Sequence, residues 1–322
     1  MRIGGDGFET EARLAGLQHA RGVLVRRYPQ IAGGLLGGDA TRDPELEAYA
    51  DAVLGFLSRK CEAEGRSLDH ALEAMARMSF DFLRLQPRFM RTGRYRSAHS
   101  APLRERIYSQ KDVMEGYYLD GLLLTYAFWV NHVSLYRYFV RGFLPRLPRE
   151  ARVLEIGVGH GLMALTLLRE LPLARYVGLD ISPFSLSYAA GLLSANAIDL
   201  HRVTLREEDA SGSAPDAAEP SDAVLCCEVL EHVEDPAGLL EKVRERLGPG
   251  GQAFVTTVAN VEAEDHIFLF EDEAHIRRLV GEAGLRVESE LVLPLLGFED
   301  ARPRPLNYAA VLSPAADGPA RT

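Results

Sequence analysis

The fold is decided by the stretch Val153-Leu154-Glu155-Ile156-Gly157-Val158-Gly159-His160-Gly161. Residues 153–156 predict a buried strand, and a helix is predicted over 162–171. The three alternating glycines allow a tight turn and leave room for a ligand to approach the backbone. Nicotinamide and flavin sites prefer G-x-G-x-x-G, whereas here the third glycine comes one position early. Glu155 would repel a pyrophosphate but suit a cationic amino group, so the pattern disfavours a nicotinamide-dependent oxidoreductase.

The residues after this turn alternate between strand and helix patterns. Further strands are predicted at 176–180, 203–205, 222–227, 252–257, 286–293 and 307–312, and helices at 183–196, 237–247 and 271–283. This alternation predicts a doubly wound α/β sheet that binds ligands at the carboxyl ends of its strands. Asp180 ends the second strand, 19 residues after Gly161, where a carboxylate can accept from both hydroxyls of a ribose.

Charge divides the 322 residues into two unequal parts. The net charge is −10, which argues against a general nucleic-acid binder. Residues 1–150 carry 22 basic and 18 acidic groups, while residues 151–322 carry 14 and 28. Pro145 and Pro148 mark a break, so we expect a helical cap domain over 1–148 and a sheet domain over 149–322. The three cysteines show no zinc-site spacing, and no apolar run is long enough for a bilayer. These features predict a cytoplasmic protein without a metal or membrane site.

The first half is predicted to be all helical, with two unusual segments. Residues 84–106 hold seven arginines against one acid, and Pro87, Gly93 and Pro102 predict that this segment is broken into turns. The arginines could bind an acidic substrate or an acidic carrier protein, although such a run is more often a solvated face. Residues 112–144 are the most aromatic part and predict one or two helices.

The ordered set of motifs in the second half resembles the class I S-adenosylmethionine-dependent methyltransferases. The resemblance covers about 150–312. It rests on 155–161, Asp180, 208–210, 222–228, the segment Glu231-His232-Val233-Glu234-Asp235-Pro236 and the turn Leu247-Gly248-Pro249-Gly250-Gly251. It implies a Rossmann-like, seven-stranded sheet whose last strand is antiparallel, and S-adenosylmethionine as cofactor.

The resemblance also implies roles for individual residues. Asp180 would hold the ribose hydroxyls, Ile181 would pack on the adenine, and Asp209 with the backbone of Ala210 would bind its polar edge. Glu228 would lie near the methionine moiety. The other cofactor-binding candidates are Glu155, Gly157, Gly159 and Gly161.

Histidines are the natural candidates for a general base, although methyl transfer does not always need one. His232 follows the fourth strand, and His266 lies in the loop after the fifth strand, which faces the substrate in this fold. Both are catalytic candidates; otherwise they are structural hydrogen-bonding groups. His160 is expected to pack beside the cofactor.

The aromatic segment gives a second group of candidates. On a continuous helix Phe128 and Asn131 would share a face, as would Trp129 and Tyr136. Phe128 and Trp129 are cofactor-binding candidates, and tyrosine and tryptophan faces could attract the sulfonium through cation–π interactions. Asn131 and Tyr136 are catalytic candidates. The alternative is an amphipathic helix whose aromatic residues form core.

The expected function is methylation of a small molecule at oxygen, nitrogen or carbon in secondary metabolism, under a helical lid that excludes water. A second reading is an intramolecular cyclase like the azetidine-2-carboxylate synthases, which release methylthioadenosine. A non-catalytic binding module is a third. The cap surface would allow a homodimer.

Overall fold

The computed structural model describes residues 7–32, 43–210 and 219–315, with side chains from residue 16 onward. Within these residues no helix is both long and apolar enough to span a bilayer.

The second half of the chain forms one seven-stranded sheet in the order β3-β2-β1-β4-β5-β7-β6. Its strands are β1 (Arg152–Ile156), β2 (Arg175–Asp180), β3 (Val203–Glu207), β4 (Ser221–Cys227), β5 (Leu247–Ala259), β6 (Leu285–Pro294) and β7 (Leu306–Pro314). Strands β1 to β5 pair in parallel, and β7 runs antiparallel to both β5 and β6. This confirms the predicted Rossmann-like α/β sheet with an antiparallel last strand.

Four main helices accompany the sheet, close to the predicted positions. They are α9 (Leu162–Glu170), α10 (Pro183–Ala195), α11 (Pro236–Arg246) and α12 (Glu273–Glu282). Their starts follow capping rules. The side chain of Asp235 accepts from the Gly238 N–H ahead of α11, and Pro236 occupies the first turn. Asp272 caps α12 in the same way through His275 N–H.

The secondary-structure elements described in the first half are all helices, several of them joined by short turns. They include α1 (Gly7–Arg27), α2 (Pro29–Ala32), α3 (Pro44–Ala63), α4 (Leu68–Thr92), α5 (Ser100–Leu103), α6 (Lys111–Val113), α7 (Leu119–Phe128) and α8 (Val130–Tyr138). Wider π-helical turns follow at Arg104–Tyr108, Met114–Tyr118 and Phe139–Phe143.

Two local predictions in this half were wrong. Helix α4 continues through Pro87 and ends only at Gly93, whose φ of 63° supplies a left-handed cap. The aromatic segment is not a continuous helix at Trp129, whose ψ of 117° is extended and separates α7 from α8. The helical faces predicted across residues 128–136 are therefore interrupted.

The helices and the sheet share a hydrophobic core. Phe254 of β5 packs against Phe139 and Phe143, with ring centroids 5.2 and 5.4 Å away. Tyr136 of α8 reaches α9, where its hydroxyl lies 2.7 Å from Thr166 Oγ1. This packing holds the helical half against the sheet. The division into units at residue 148 stays a prediction.

Candidate active site

The turn between β1 and α9 depends on glycine. Gly157, Gly159 and Gly161 have φ values of 74°, 51° and 75°. A Cβ at Gly157 would lie 2.5 Å from Val229 Cγ2, and one at Gly161 would lie 2.8 Å from Ala189 Cβ. A Cβ at Gly159 would meet no heavy atom of the described structure within 4 Å. The first and third glycines thus allow close packing, and the second leaves its backbone open to a ligand.

Asp180 fastens this turn to the end of β2. One carboxylate oxygen accepts from Gly159 N–H at 2.9 Å, and the other accepts from Ser182 N–H at 2.8 Å. Burial raises the pKa of Asp180, while these backbone donors oppose the rise. These two hydrogen bonds fix the Asp180 carboxylate at the carboxyl end of β2, beside the glycine turn.

A cavity of about 400 Å³, the glycine-loop cavity, opens against this turn. Eight of the predicted cofactor-binding residues line it: Glu155, Gly157, Gly159, Asp180, Ile181, Asp209, Ala210 and Glu228. Its described wall contains seven carboxylate side chains and a single arginine, Arg104. Such a wall favours a ligand with positive charge. The cradle at Gly159, the carboxylate of Asp180 and this acidic wall fit S-adenosylmethionine, which carries a ribose, a sulfonium and an ammonium.

Two residues that line this cavity, Glu155 and His160, have pKa values far from the usual ones for their residue types. Burial raises the pKa of Glu155 to about 8, although a hydrogen bond from Tyr176 opposes the rise. Burial lowers the pKa of His160 to about 3. The Nδ1 atom of His160 accepts from Leu162 N–H at 3.2 Å, so this ring is neutral and fixed beside the turn.

Three predicted cofactor-binding residues lie elsewhere. Gly161 is behind the wall, at the start of α9. Phe128 is 3% exposed and faces Arg21 and Ala50 in the helical half, because the chain changes direction at Trp129. The structure therefore does not bring Phe128 to the glycine-loop cavity, where we expected it to contact the cofactor. Trp129 lines a second cavity.

This second cavity, the aromatic cavity, measures about 210 Å³ and adjoins the first. Its aromatic wall contains Phe82, Tyr117, Tyr118 and Trp129. The indole of Trp129 lies 5.7 Å from the Phe82 ring, centroid to centroid. The two cavities share the wall residues Tyr118, Leu122, Glu228 and His232. A ligand in one cavity is therefore close to a ligand in the other.

Polar groups gather at this junction in what we call the acid–histidine cluster: Glu228, Glu231, His232 and His266. All four line the aromatic cavity. One nitrogen or oxygen atom from each of Glu231, His232 and His266 lies within 4.8 Å of the others. Glu228 has a left-handed backbone, with φ of 54°, which is strained for a residue with a side chain.

The two glutamates of the cluster are incompletely satisfied. Glu231 accepts from Thr257 Oγ1 at 2.7 Å through one oxygen. Its other oxygen, Oε1, and Oε1 of Glu228 are buried and have no hydrogen-bond partner. Burial raises the pKa of both carboxyl groups, and the negative charge of Glu231 raises that of Glu228 further. An unpartnered buried acceptor is costly, so this pair is suited to a ligand that brings donors.

The histidines present their second nitrogen from fixed rings. Nδ1 of His266 lies 2.7 Å from the carbonyl oxygen of Val261, and Nδ1 of His232 lies 3.0 Å from that of Asp265. Since a carbonyl only accepts, these contacts assign a proton to each Nδ1, and a neutral ring then offers Nε2 as an acceptor. Burial lowers the pKa of His266 to about 4, so its ring is neutral.

Asp265 anchors this corner and was not among the candidates from sequence. It is 3% exposed and accepts from Tyr118 Oη at 2.6 Å and from Tyr108 Oη at 2.8 Å. Burial opposes ionisation, but His232, His266 and the two hydroxyls bring the pKa of Asp265 below its usual value. Glu231 was missed as well. Its place between a strand end and His232, and that of Asp265 beside His266, were signals in the sequence.

Asn131 and Tyr136 are engaged structurally. The Asn131 side-chain NH₂ donates to the carbonyl oxygens of Leu293 and Pro294 and to Asn307 Oδ1, at 3.0–3.2 Å, so it ties α8 to β6 and β7. Asn131 also lines the aromatic cavity. Tyr136 is fully buried with its hydroxyl against Thr166 and lines neither cavity. Its predicted catalytic role does not agree with this placement.

The arginine segment contacts acids of the same chain. Arg84 and Arg96 pair with Glu264 at 2.6 and 2.9 Å, and Arg88 pairs with Glu262 at 2.7 Å. These pairs hold the loop after β5, which supplies the aromatic cavity with His266. They give Arg84, Arg88 and Arg96 a structural role within the chain. An acidic carrier protein as partner stays a prediction. A homodimer stays a prediction.

Part of the chain is similar to known proteins. Residues 154–253 match the model of a methyltransferase domain. Over 110 residues the chain is 36% identical to the ubiquinone biosynthesis O-methyltransferase of Xylella fastidiosa (strain 9a5c), a match that covers 34% of this chain and 42% of that protein. The enzyme of the same name from Acinetobacter baumannii (strain AYE) is 28% identical over 129 residues, 40% of this chain and 52% of the relative. The chain thus spans about half or less of the length of these relatives.

Solved structures are similar at a lower level. A Geobacter sulfurreducens S-adenosylmethionine-dependent methyltransferase in complex with S-adenosylhomocysteine is 18% identical, with a TM-score of 0.43, covering 56% of this chain and 90% of that one. The [4+2]-cyclase SpnF is also 18% identical, with a TM-score of 0.43, covering 52% and 75%.

Proposed function

We propose that this chain is a class I S-adenosylmethionine-dependent methyltransferase that transfers the methyl group of S-adenosylmethionine to a small molecule; the match of residues 154–253 to a methyltransferase domain supports this. The observation that carries this proposal is the pair of adjoining cavities. One is built on the glycine turn and Asp180, and the other is aromatic and holds the acid–histidine cluster. A two-substrate reaction needs this arrangement, with the acceptor aligned against the cofactor.

In the glycine-loop cavity, the chain's own residues would bind and orient the cofactor. Asp180 would accept from the ribose hydroxyls, and the open backbone at Gly159 would allow close approach. Glu155 would attract the ammonium group, while Ile181, Asp209 and Ala210 would surround the adenine. Bound S-adenosylmethionine supplies an electrophilic methyl group.

Residues 100–132 would act as a lid over this site. The Tyr108 carbonyl accepts from Ser182 Oγ at 2.7 Å, and Ser100 N–H donates to Glu234 at 2.7 Å. Both contacts join the helical half to loops that line the glycine-loop cavity. Closure there would exclude water from the reacting centre.

His232 lies where the two cavities meet, so its free Nε2 is our candidate for accepting a proton from the acceptor. The ring is held through Nδ1 by Asp265, which is itself held by two tyrosines. The metabolic role that we propose is biosynthetic, since the relatives include enzymes named for ubiquinone biosynthesis.

The second cavity favours methyl transfer over intramolecular cyclisation, which needs no second substrate. Incubation of the protein with S-adenosylmethionine alone, followed by mass spectrometry, distinguishes the two. We expect the cofactor to stay intact until an acceptor is added, and S-adenosylhomocysteine to form afterwards. Methylthioadenosine formed without an acceptor would show cyclisation and overturn the proposal.

A further inference from the structure

The acid–histidine cluster presents buried acceptor atoms to the aromatic cavity. Oε1 of Glu228 and Oε1 of Glu231 have no partner. The Nε2 atom of the neutral His266 ring is a further acceptor, because the Nδ1 of this ring is bonded to a backbone carbonyl. A ligand that satisfies this group must therefore bring several hydrogen-bond donors, positive charge or both.

The acidic groups of the aromatic cavity's wall also favour a positively charged ligand. The described wall contains the carboxylates of Asp81, Glu228, Glu231, Glu262, Glu264 and Asp265 and no lysine or arginine. The arginines that pair with Glu262 and Glu264 lie outside the lining. A carboxylate-bearing or phosphorylated acceptor would be repelled here, and a neutral hydroxyl would donate only one hydrogen bond to the cluster.

The rest of the wall is suited to an organic group. Phe82, Tyr117, Tyr118 and Trp129 stand around the same cavity with Met78 and Leu85. Aromatic faces attract cations, and their apolar surface binds a hydrocarbon or aromatic body. A cation with an apolar body fits both parts of the wall.

We propose that the acceptor is a primary amine with an aromatic or apolar body, bound as an ammonium by Glu228 and Glu231 and methylated on nitrogen. This inference rests on the proposed methyl transfer and names its substrate class. Before attack, the ammonium gives one proton to the cluster, and the nitrogen lone pair becomes free. The lone pair then forms the N–CH₃ bond as the CH₃–S bond breaks, and the electrons of that bond leave with sulfur. The products are a protonated secondary amine and S-adenosylhomocysteine.

Calorimetry on the full chain saturated with S-adenosylhomocysteine tests this assignment. The probes are 2-phenylethylamine, tryptamine and 4-phenylbutylamine, each with the alcohol of the same skeleton. We expect at least one amine to bind ten times or more tightly than its alcohol. Alcohols that bind as tightly as every amine, or no bound amine at all, would overturn the inference. The binding of S-adenosylhomocysteine in the same samples is independent; its absence would instead count against the proposed function.

Single substitutions test whether the preference for an amine over its alcohol comes from Glu228 and Glu231. In Glu231→Gln the preference for the amine should fall at least tenfold, with S-adenosylhomocysteine affinity retained. Glu228→Gln should also lower the preference at least tenfold and serves if the first variant fails to fold; because Glu228 lines the glycine-loop cavity as well, the amine preference is compared at saturating S-adenosylhomocysteine. Glu290→Gln changes the same group on an acid that pairs with Arg277 and lines neither cavity, so the preference should change less than twofold. Equal losses in all three variants would contradict a specific ammonium site.

A divalent cation is the competing ligand for these atoms. Chelator-treated protein is therefore titrated with MgCl₂, MnCl₂ and ZnCl₂, with Glu231→Gln as the reference. Micromolar binding of any of these ions that Glu231→Gln abolishes would identify a metal centre and overturn the amine assignment. Absence of such binding, together with the amine preference, supports it.

Discussion

The two cavities of this protein are built in different ways. The glycine-loop cavity is made mostly of loops at the carboxyl ends of neighbouring strands. These loops follow β1, β2, β3 and β4, in the same order as the strands along the chain. The aromatic cavity collects residues from α4, α7, α8 and the loops after β4, β5 and β6. The first is a property of the sheet, which many sequences share. The second depends on how this particular helical half packs, and it would select the acceptor.

The largest effect is expected at the glycine turn. Gly157→Ala adds a Cβ at a φ of 74° and 2.5 Å from Val229. Strain and overlap together should lower the free energy of unfolding by about 2–4 kcal/mol and weaken S-adenosylhomocysteine binding more than tenfold. Urea denaturation and calorimetry measure the two effects.

Gly250→Ala is the control for that change. The φ of Gly250 is 75° and a Cβ there would meet no described atom within 4 Å, so this substitution adds backbone strain without steric overlap. A loss equal to that of Gly157→Ala, with binding unchanged in both, would show that the turn does not shape the cofactor site.

Asp180→Asn tests the carboxylate in the glycine-loop cavity. The variant retains the size of the side chain but removes its charge and one acceptor, and hydrogen bonds to charged groups contribute about 1.5–3 kcal/mol. We expect about 10- to 100-fold weaker binding of S-adenosylhomocysteine by calorimetry. Asp199→Asn, in an exposed turn where the carboxylate accepts from His201 N–H, should leave the affinity unchanged. Unchanged affinity in Asp180→Asn would refute our placement of the ribose.

Glu155 should make the stability of the ligand-free protein depend on pH. Burial raises its folded pKa to about 8, and Tyr176 and Asp180 are the titratable groups that interact with it. Between the usual glutamate pKa and 8 the folded state binds more protons than the unfolded state, so stability contributed by Glu155 is lost as the pH rises. Glu155→Gln should flatten this decline in urea denaturation between pH 5 and 8. An identical slope in both proteins would contradict the assignment.

The smallest effect is expected for Asn131, on the side of the aromatic cavity. Asn131→Ala removes three hydrogen bonds to β6 and β7 and should lower the free energy of unfolding by about 1–3 kcal/mol. S-adenosylhomocysteine binding should change less than twofold. Asn196→Ala is the matched control, because Asn196 also donates to two backbone carbonyls but lines neither cavity. If Asn131→Ala alone abolished cofactor binding, the two cavities would not be the separate sites that we describe.

The sheet could be predicted because its signals are local. Apolar strands, glycine turns and capping residues such as Asp235 act within a few positions of the chain, and parallel order then follows from helical crossovers. Local signals predicted the helical half less accurately. Pro87 did not end α4, since tertiary packing can outweigh a local breaker, and Trp129 interrupted a segment whose composition favours a continuous helix.

The sheet, the glycine turn and most residues of the glycine-loop cavity can be predicted from the sequence, because each follows from spacing along neighbouring strands. The aromatic cavity becomes visible only in the folded chain. Tyr118 meets Asp265 across 147 positions of the chain, and Asn131 meets Asn307 across 176. No local pattern records such contacts, because they arise from the packing of whole helices on the sheet. The same packing placed Tyr136 in the core and left Glu228 and Glu231 facing a cavity with acceptors to satisfy.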